Sequence, residues 1–370
     1  MRTTWRLLLA AAFFAGGGAS YAAGYLDAAM KSPASFDEAL GWDRVELASM
    51  LEPDLAEPGV DTVESALQSA ATGANSCCND LADCCGCPPT WTVRAGAVIL
   101  ERSRPRRTLV VDDTTGGTER GWADRFDFGF EGGPDLTITR WLANGNGVEV
   151  RYFGALQWDD QHRWNSAAGW SLPALPPIIG AGIGAVDVNY LSRLNSTEIN
   201  YREAPNQTIS YLVGFRWIEL HEELGVAANL GGNQATVGWN TDNHLYGGQL
   251  GAEVNLFDRG GPLTFLSWFK GGLYGNDADN NFALTQTIGP DLSFTDQTGR
   301  LAFVGDIAFT GSYQLTDGVA LRSGYQLFWV DGVALASEQI TATNIFAGNG
   351  VDPTGFAFYH GALVSLDFVW

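Results

Sequence analysis

The last fifteen residues of the chain, 356–370, alternate between apolar and polar positions. The apolar parity holds Phe356, Phe358, Ala362, Val364, Leu366, Phe368 and Trp370, and the other holds Tyr359, Gly361, Ser365 and Asp367. This period of two predicts a half-buried β-strand. A last strand that runs into an aromatic residue without a polar tail is explained by a closed barrel, in which it pairs with the first strand and leaves no free edge. We therefore expect Phe368 and Trp370 to close a barrel.

The same alternation recurs along the rest of the chain from residue 91. The predicted strands are 91–100, 135–142, 147–158, 186–202, 207–220, 244–257, 262–275, 301–313, 319–330 and 356–370. This makes ten strands, with twelve as the alternative. The parity in 186–202 slips near Ser196, which predicts a β-bulge there.

The connections between these strands alternate in length. Short connections fall near 143–146, 203–206, 258–261 and 314–318, and long ones at about 102–132, 159–185, 221–243, 276–298 and 334–355. Short periplasmic turns and long outer loops are typical of outer-membrane barrels. A soluble β-sandwich has similar strands but no reason to sort its loops in this way. The predicted fold is therefore an all-β, transmembrane, antiparallel up-and-down β-barrel at residues 90–370.

Aromatic residues at the predicted strand ends agree with this orientation, because aromatic rings are enriched where a barrel meets the lipid headgroups. The turn-side aromatics are Trp91, Trp141, Phe257, Tyr313 and Trp370, and the loop-side ones are Trp158, Trp217 and Trp329.

The N-terminal part differs from the barrel. Arg2 and Arg6 precede an apolar run at 7–15 and small residues at 20–23, which predicts a secretory signal peptide at 1–23. Residues 24–75 are acidic and rich in Ala, and we interpret them as an exported periplasmic linker or short helices. The whole chain has a net charge of −21, which argues against a nucleic-acid partner because phosphate binding needs clustered Lys and Arg.

All five cysteines fall in one Cys-rich segment at 76–89. They are Cys77, Cys78, Cys84, Cys85 and Cys87. In an oxidising compartment we expect disulfides, and the odd count leaves one thiol that could link to another chain. The spacing matches no common zinc pattern and no His lies nearby, so no metal site is predicted.

Charged residues in the predicted strands lie mainly on the face opposite the apolar one. On the lipid face each would cost about 2–4 kcal/mol near the membrane midplane, so we expect them to face the lumen. The predicted lumen-lining charges are Glu149, Arg151, Arg193, Glu198, Arg202, Arg216, Glu253, Lys270, Asp306, Arg322 and Asp367. Facing rings of opposite charge give the transverse field of a narrow wet pore. Alternatively, the charges neutralise one another and fill a small barrel.

An enzymatic hypothesis rests on His221 and His244, which lie at predicted loop-side strand ends with Glu222, Glu223 and Asp242 close in sequence. A hydrolase could place an acid/base pair there, but no Ser or Cys nucleophile motif accompanies it. We therefore predict that the protein is not an enzyme and that it has no catalytic residues.

One short segment could also be a calcium loop. Residues 277–281 place three oxygen ligands at alternate positions, but the segment lacks the glycine and the distant Glu of such a loop. We predict an ordinary solvated loop there.

Several segments, in the same order, resemble the planctomycete outer-membrane β-barrel protein family. They are CCGCPPTWTVRAGAVILERSRP, NGNGVEVRYFGALQW, YLSRLNSTEINYRE, LVGFRWIELHEEL, NHLYGGQLGAEVNLFDRGGPLTFLSWFKGGLYGN and the closing strand. The resemblance covers about residues 84–370. It implies a signal peptide, a Cys-rich segment before the barrel, an outer-membrane location and, loosely, porin-like behaviour. It defines no catalytic residues, and it implies that the barrel-assembly machinery reads the aromatic terminus.

The predicted function is a narrow porin-like channel of the bacterial outer membrane for passive diffusion of small polar solutes. The alternative is a structural or surface-display barrel with a plugged lumen, which anchors envelope layers through its Cys-rich segment. The expected partners are outer-membrane lipid, the barrel-assembly machinery, small polar solutes and a disulfide-linked chain. No cofactor is predicted.

Overall fold

The computed structural model describes residues 90–113, 120–166, 170–172, 184–204, 208–230, 233–287 and 289–370. The predicted signal peptide, the acidic segment at 24–75 and the Cys-rich segment with its five cysteines lie outside these residues.

Ten antiparallel strands form a closed barrel, as predicted. These strands are β1 (Trp91–Arg102), β4 (Phe130–Trp141), β5 (Gly147–Ser166), β7 (Gly184–Glu203), β8 (Ile209–Leu230), β9 (Asn233–Phe257), β10 (Leu263–Gln286), β11 (Leu292–Thr316), β12 (Val319–Val333) and β13 (Gly355–Val369). Three short strands form a separate sheet, namely β2 (Leu109–Asp113), β3 (Arg120–Trp122) and β6 (Trp170–Ser171).

The barrel closes where β13 pairs with β1. The register runs from Thr92 opposite Val369 to Arg102 opposite Tyr359. At the end of the seam, the Trp91 backbone N–H donates to the carbonyl oxygen of Trp370 over 3.0 Å. The terminal strand therefore has partners on both sides, because it also pairs with β12, and the barrel has no open edge.

Two of the predicted long loops are wrong. Residues 221–243 form the outer ends of β8 and β9, which are separated only by residues 231–232, and 276–298 form the outer part of the hairpin of β10 and β11. These four strands have 22 to 25 residues, whereas a tilted strand of about 9–11 residues crosses a bilayer. The barrel wall therefore continues well beyond the membrane on this side. The Gly, Asn and Asp residues that suggested loops lie within these strands, and the hydrogen-bonded pairing of the strands continues through them without a break.

The faces of each long strand exchange their polarity partway along. In β7, Val186, Val188 and Leu194 point inward at the outer end, whereas Glu198 and Arg202 point inward at the periplasmic end. Below the exchange the outside is lipid and the polar groups face inward; above it the outside is water and the apolar groups face inward. This inversion accounts for the parity change near Ser196.

The predicted bulge in β7 is therefore wrong in position. β7 pairs with β8 without a break, and the bulge lies in the neighbouring strand β5, between Phe153 and Leu156.

Apolar side chains fill the outer half of the barrel. They form one core cluster that includes Phe153, Trp158, Tyr190, Phe328 and Tyr359, each no more than 1% exposed. A cap segment, which we define as residues 334–354, connects β12 to β13 and contains the helix α1 (Ala336–Ala342). Ala336 and Ile340 of α1 belong to the same core cluster, so the cap segment is part of the packing that closes the barrel.

A 3-10 turn, Ala123–Arg125, follows β3. In the described residues, no helix has both the length and the apolar character needed to cross a membrane.

Candidate functional site in the barrel lumen

The periplasmic half of the lumen is lined by charged side chains in equal numbers of each sign. We call this set the lumen network. Its cations are Arg94, Arg151, Arg202, Arg216, Lys270 and Arg322, and its anions are Asp135, Glu149, Glu198, Glu253, Asp306 and Asp367. Six positive and six negative groups balance, so the network is formally neutral.

Arg151 stands at the centre of the lumen network. Its guanidinium makes a bidentate contact with Asp135, with Nε 3.0 Å from Oδ1 and Nη2 2.8 Å from Oδ2. Its third nitrogen, Nη1, lies 3.6 Å from Glu198 and 3.5 Å from Asp306. The planar fork of arginine suits such multiple carboxylate contacts. Because β4, β5, β7 and β11 supply these residues, the contacts cross the lumen.

Glu198 and Asp306 extend the network to further strands. The Lys270 ammonium donates to Glu198 over 2.7 Å. Asp306 accepts from the indole N–H of Trp268 over 3.1 Å and lies 3.4 Å from Nη1 of Arg216. Each buried carboxylate therefore has several donors, as a charge removed from water requires.

Two smaller groups complete the network towards the periplasmic end. Arg202 contacts Glu149 and, over 3.1 Å, Glu253. Arg322 donates to Asp367 over 2.8 Å through Nε. Arg94 approaches the other oxygen of Asp367 at 3.3 Å, which closes the network across the β1–β13 seam.

Little free space remains between these side chains. The cavity lined by Arg94, Arg151, Arg202 and Lys270, among others, has a volume of about 10 Å³. A single water molecule needs about 10–15 Å³ measured in this way. This cavity between the described side chains is therefore too small to hold more than about one water molecule.

A second buried ion pair lies in the apolar outer half. Arg102 contacts Glu222, and the two side chains are 1% and 0% exposed. The Arg102 guanidinium stacks over the ring of Phe128 at 4.5 Å and that of Tyr190 at 5.4 Å. Arg102 lies on β1 and Glu222 on β8, so the pair connects strands from different parts of the barrel wall.

Glu222 also fixes the cap segment. Its Oε2 accepts from the hydroxyl of Tyr190 over 2.6 Å and from the backbone N–H of Ala336, at the start of α1, over 3.0 Å. Asn243 on β9 gives a second attachment, because its amide donates to the Ala334 carbonyl over 2.8 Å and accepts from the Ala334 N–H over 2.7 Å. The cap segment is thus hydrogen-bonded to buried side chains of the wall.

The structure places ten of the eleven predicted lumen charges inside the barrel and one outside. The inward residues are Glu149, Arg151, Glu198, Arg202, Arg216, Glu253, Lys270, Asp306, Arg322 and Asp367. The prediction for Arg193 is wrong: its side chain is 48% exposed, and its Nε donates to Gln157 on the outer wall. Arg193 lies above the level at which the faces of β7 exchange polarity, so there the polar parity points outward.

Four interior charges on the described barrel strands were missed from the sequence. Arg94 and Asp135 follow the inward parity of β1 and β4, so that parity was a usable signal for both. Arg102 and Glu222 lie inward above the polarity exchange, in segments that had been assigned to loops, and no sequence signal marks them. Trp158 was predicted to lie in the outer aromatic ring but is buried in the core. The β5 bulge between Phe153 and Leu156 moves it to the inward face, where its indole N–H donates to the Leu100 carbonyl.

The two histidines of the enzymatic hypothesis lie on the outer wall, above the aromatic ring. His221 stands between two carboxylates, with Nδ1 2.6 Å from Asp242 and Nε2 2.8 Å from Glu223. The hydrogen bond to Asp242, followed by that to Glu223, raises the pKa of His221 to about 8. At neutral pH the ring is therefore a cation that holds β8 to β9 rather than a free base.

No protein-family model matches the chain, and no curated protein matches it. Solved structures with a similar fold include the outer membrane protease OmpT from Escherichia coli, with 8% identity, a TM-score of 0.43, and coverage of 76% of this chain and 97% of the other. The translocator domain of the autotransporter NalP from Neisseria meningitidis has 12% identity and a TM-score of 0.38, with coverage of 84% and 95%. The Pseudomonas putida toluene transporter TodX has 9% identity and a TM-score of 0.25, with coverage of 76% and 90%. At these identities the similarity concerns the fold alone.

The prediction that this chain is not an enzyme is corrected by the first of these similarities. OmpT is a protease with a barrel similar to this one, so the barrel architecture does not exclude enzymatic activity. The similarity does not assign protease activity to this chain.

The fold and its surface define the class of protein. The outward parity of β8 is apolar from Ile209 to Trp217 and polar from Glu219 to Glu223. Exposed aromatic rings border this apolar band, with Tyr211 and Trp370 on the periplasmic side and Trp217 on the outer side. A closed antiparallel barrel with an even strand number, an apolar belt and aromatic girdles is an outer-membrane β-barrel. The chain is accordingly a protein of the bacterial outer membrane.

Proposed function

We propose that this protein is a structural outer-membrane barrel with a closed lumen, which displays its long outer wall and cap segment at the cell surface. The observation that carries this proposal is the filled lumen. The cavity between Arg151, Arg202 and Lys270 in the charged half has a volume of only about 10 Å³, and the outer half is an apolar core that includes residues of α1. A barrel of about this size can be filled by its own side chains.

The plug does not depend on the cap segment alone. Inside the barrel, Tyr359 on β13 contacts Trp158 on β5 and Phe328 on β12, with ring centroids 5.1 and 5.8 Å apart. These side chains belong to the wall itself, so displacement of α1 would leave the outer half occupied. A structural role needs such a rigid interior, whereas a passive channel needs a standing water path.

A narrow channel for small polar solutes is the second candidate. The polar character of the periplasmic half favours it, because Arg151, Arg216 and their carboxylate partners would present a transverse field if they separated. This candidate requires the lumen network and the apolar core to rearrange together.

Single-channel conductance in planar bilayers tests the proposal. We expect folded wild-type protein, verified by its β-sheet circular dichroism spectrum, to give no stepwise currents. Regular steps would refute the closed barrel and support the channel. In that case the charge reversals Arg151→Glu and Arg216→Glu should change the ratio of cation to anion permeability, and Arg193→Glu on the outer wall is the matched control that should not.

We also propose that the Cys-rich segment anchors the barrel to another envelope layer. An odd number of cysteines supports a link to another chain, and non-reducing electrophoresis of envelope fractions tests it. A band of higher mass that disappears on reduction and in the Cys87→Ser variant is expected if that cysteine forms the link. The planctomycete family, its barrel-assembly partner and the signal peptide remain proposals that rest on the sequence.

A further inference from the structure

A slot opens on the outer wall at the level of the outer aromatic ring. Tyr152, Thr197, Trp217 and Tyr246 lie abreast on β5, β7, β8 and β9 and point outward. Neighbouring strands are about 4.8 Å apart, so the small Thr197 leaves a gap between two large rings. The resulting cavity has a volume of about 290 Å³, and its walls include Asn195 and Glu219.

Polar groups line the outer rim of this slot. Asn195 on β7 and Glu219 on β8 face each other across one ladder pair. The Asn195 oxygen accepts from the hydroxyl of Tyr152 over 3.0 Å and from the backbone N–H of Ala155, in the β5 bulge, over 2.9 Å. These bonds hold the amide oxygen, and among the described residues no acceptor occupies the NH2 group, so it can donate to a ligand.

Glu219 brings an uncompensated negative charge to the slot. Among the described residues it has no ion-pair partner, and Trp217, which stacks on Tyr246 at a centroid distance of 6.1 Å, lies next to it on the same face. The two cations one ladder row further out have other partners. Arg193 contacts Gln157 and Glu223, and His221 contacts Asp242 and Glu223. A carboxylate beside an aromatic face is suited to an ammonium group.

Apolar residues lie immediately below the slot, on its membrane side. Val150, Ile199 and Phe215 are paired neighbours on β5, β7 and β8, and they are 43%, 53% and 51% exposed on the outward face. A molecule bound here would therefore have a polar headgroup at the rim and acyl chains along the belt.

We propose that this slot is a binding site for a zwitterionic lipid with a primary ammonium and a phosphate in its headgroup. The ammonium contacts the Glu219 carboxylate and the face of Trp217. A phosphate oxygen accepts from the Asn195 amide and the Thr197 hydroxyl. The acyl chains lie on Val150, Ile199 and Phe215, so this site would hold one lipid at a defined place on the barrel.

Native mass spectrometry of the full chain in detergent tests this site. The protein is mixed with equal amounts of phosphatidylethanolamine and phosphatidylglycerol that carry the same acyl chains. We expect the phosphatidylethanolamine adduct to be favoured by about tenfold, in line with one exposed ion pair and one cation–π contact. Glu219→Gln should remove most of this preference.

Two further variants make the result specific to the slot. Thr197→Phe keeps every charge and fills the gap between Tyr152 and Trp217, so it should abolish the phosphatidylethanolamine adduct. Glu101→Gln is the matched control, because Glu101 also points outward above the apolar belt, on β1 and away from the slot, and the preference should persist. Equal retention of the two lipids by wild-type protein, or an unchanged preference in Glu219→Gln, would overturn the proposal.

Discussion

The buried pair of Arg102 and Glu222 offers the sharpest test of how the outer half of the barrel is held together. Glu222→Ala leaves the Arg102 guanidinium buried without a counter-charge, and it also removes the acceptor of the Tyr190 hydroxyl and of the Ala336 N–H. Removal of one partner of a buried pair costs about 3–5 kcal/mol. We therefore expect Glu222→Ala to lower the free energy of unfolding by about that amount.

The double variant Arg102→Met, Glu222→Leu separates the ion pair from simple loss of packing. Replacement of both partners by apolar residues is often neutral or even stabilising in a packed core. We expect the double variant to be at least about 2 kcal/mol more stable than Glu222→Ala, because no unpaired charge remains. The matched control is Glu223→Ala, since Glu223 is the next residue on β8 and points to the exposed outer face. Its exposed contact with His221 is worth at most about 1 kcal/mol.

Reversible folding in urea with lipid vesicles, followed by tryptophan fluorescence, measures these values. Equal losses for Glu222→Ala and Glu223→Ala would refute the reasoning. So would a double variant as unstable as the sum of the single variants Arg102→Met and Glu222→Leu, because the pair would then have no coupling energy.

Three further predictions follow from the barrel geometry. In whole cells, Arg193→Cys should react with a membrane-impermeant maleimide, whereas Glu198→Cys should not. The first side chain is on the outer wall and the second is in the filled lumen. The reverse labelling pattern would contradict the exchange of polarity between the two faces of β7. The raised pKa of His221 means that its contribution to stability is complete below pH 6.5 and is lost as the pH rises through about 8. The Tm of wild-type protein should therefore fall over this range by more than the Tm of His221→Gln. Parallel curves of Tm against pH would disprove the contact with Asp242. Deletion of residues 368–370 should prevent assembly, as judged by loss of the folded band on unheated gels, whereas a normally folded truncated protein would show that the seam closes without them.

Much of the fold could be predicted because period-two alternation reports directly which side chains face a hydrophobic environment. Strand β13 was identified from alternation alone, and its pairing with β1 followed from the need to leave no edge. The same signal misled where the environment changed. Above the membrane the outer face of β8 carries Glu219, His221 and Glu223 and its inner face carries Ile218 and Leu220, so the alternation persists with the opposite meaning.

The lumen charges could be predicted as a set but not as pairs. Inward parity on its own identifies Arg151 and Glu198 as interior, because a charge on the lipid face is costly. Their contacts depend on the stagger of the strands and on the curvature of the wall, which bring β5, β7 and β11 together around Arg151. Whether the lumen is open or filled depends on these distances, and no spacing along the chain encodes them.

The sequence by itself therefore determined the strand number, the closing seam and the polar lining of the membrane-embedded lumen, because each follows from local alternation and from the cost of exposing charge to lipid. The tertiary structure decided which way the polar face points beyond the membrane, which charges neutralise one another, and that residues 334–340 of the cap segment are buried in the core. It also decided where Thr197 leaves a slot between larger neighbours. These features arise from residues distant in sequence, whose approach is determined only when the barrel closes.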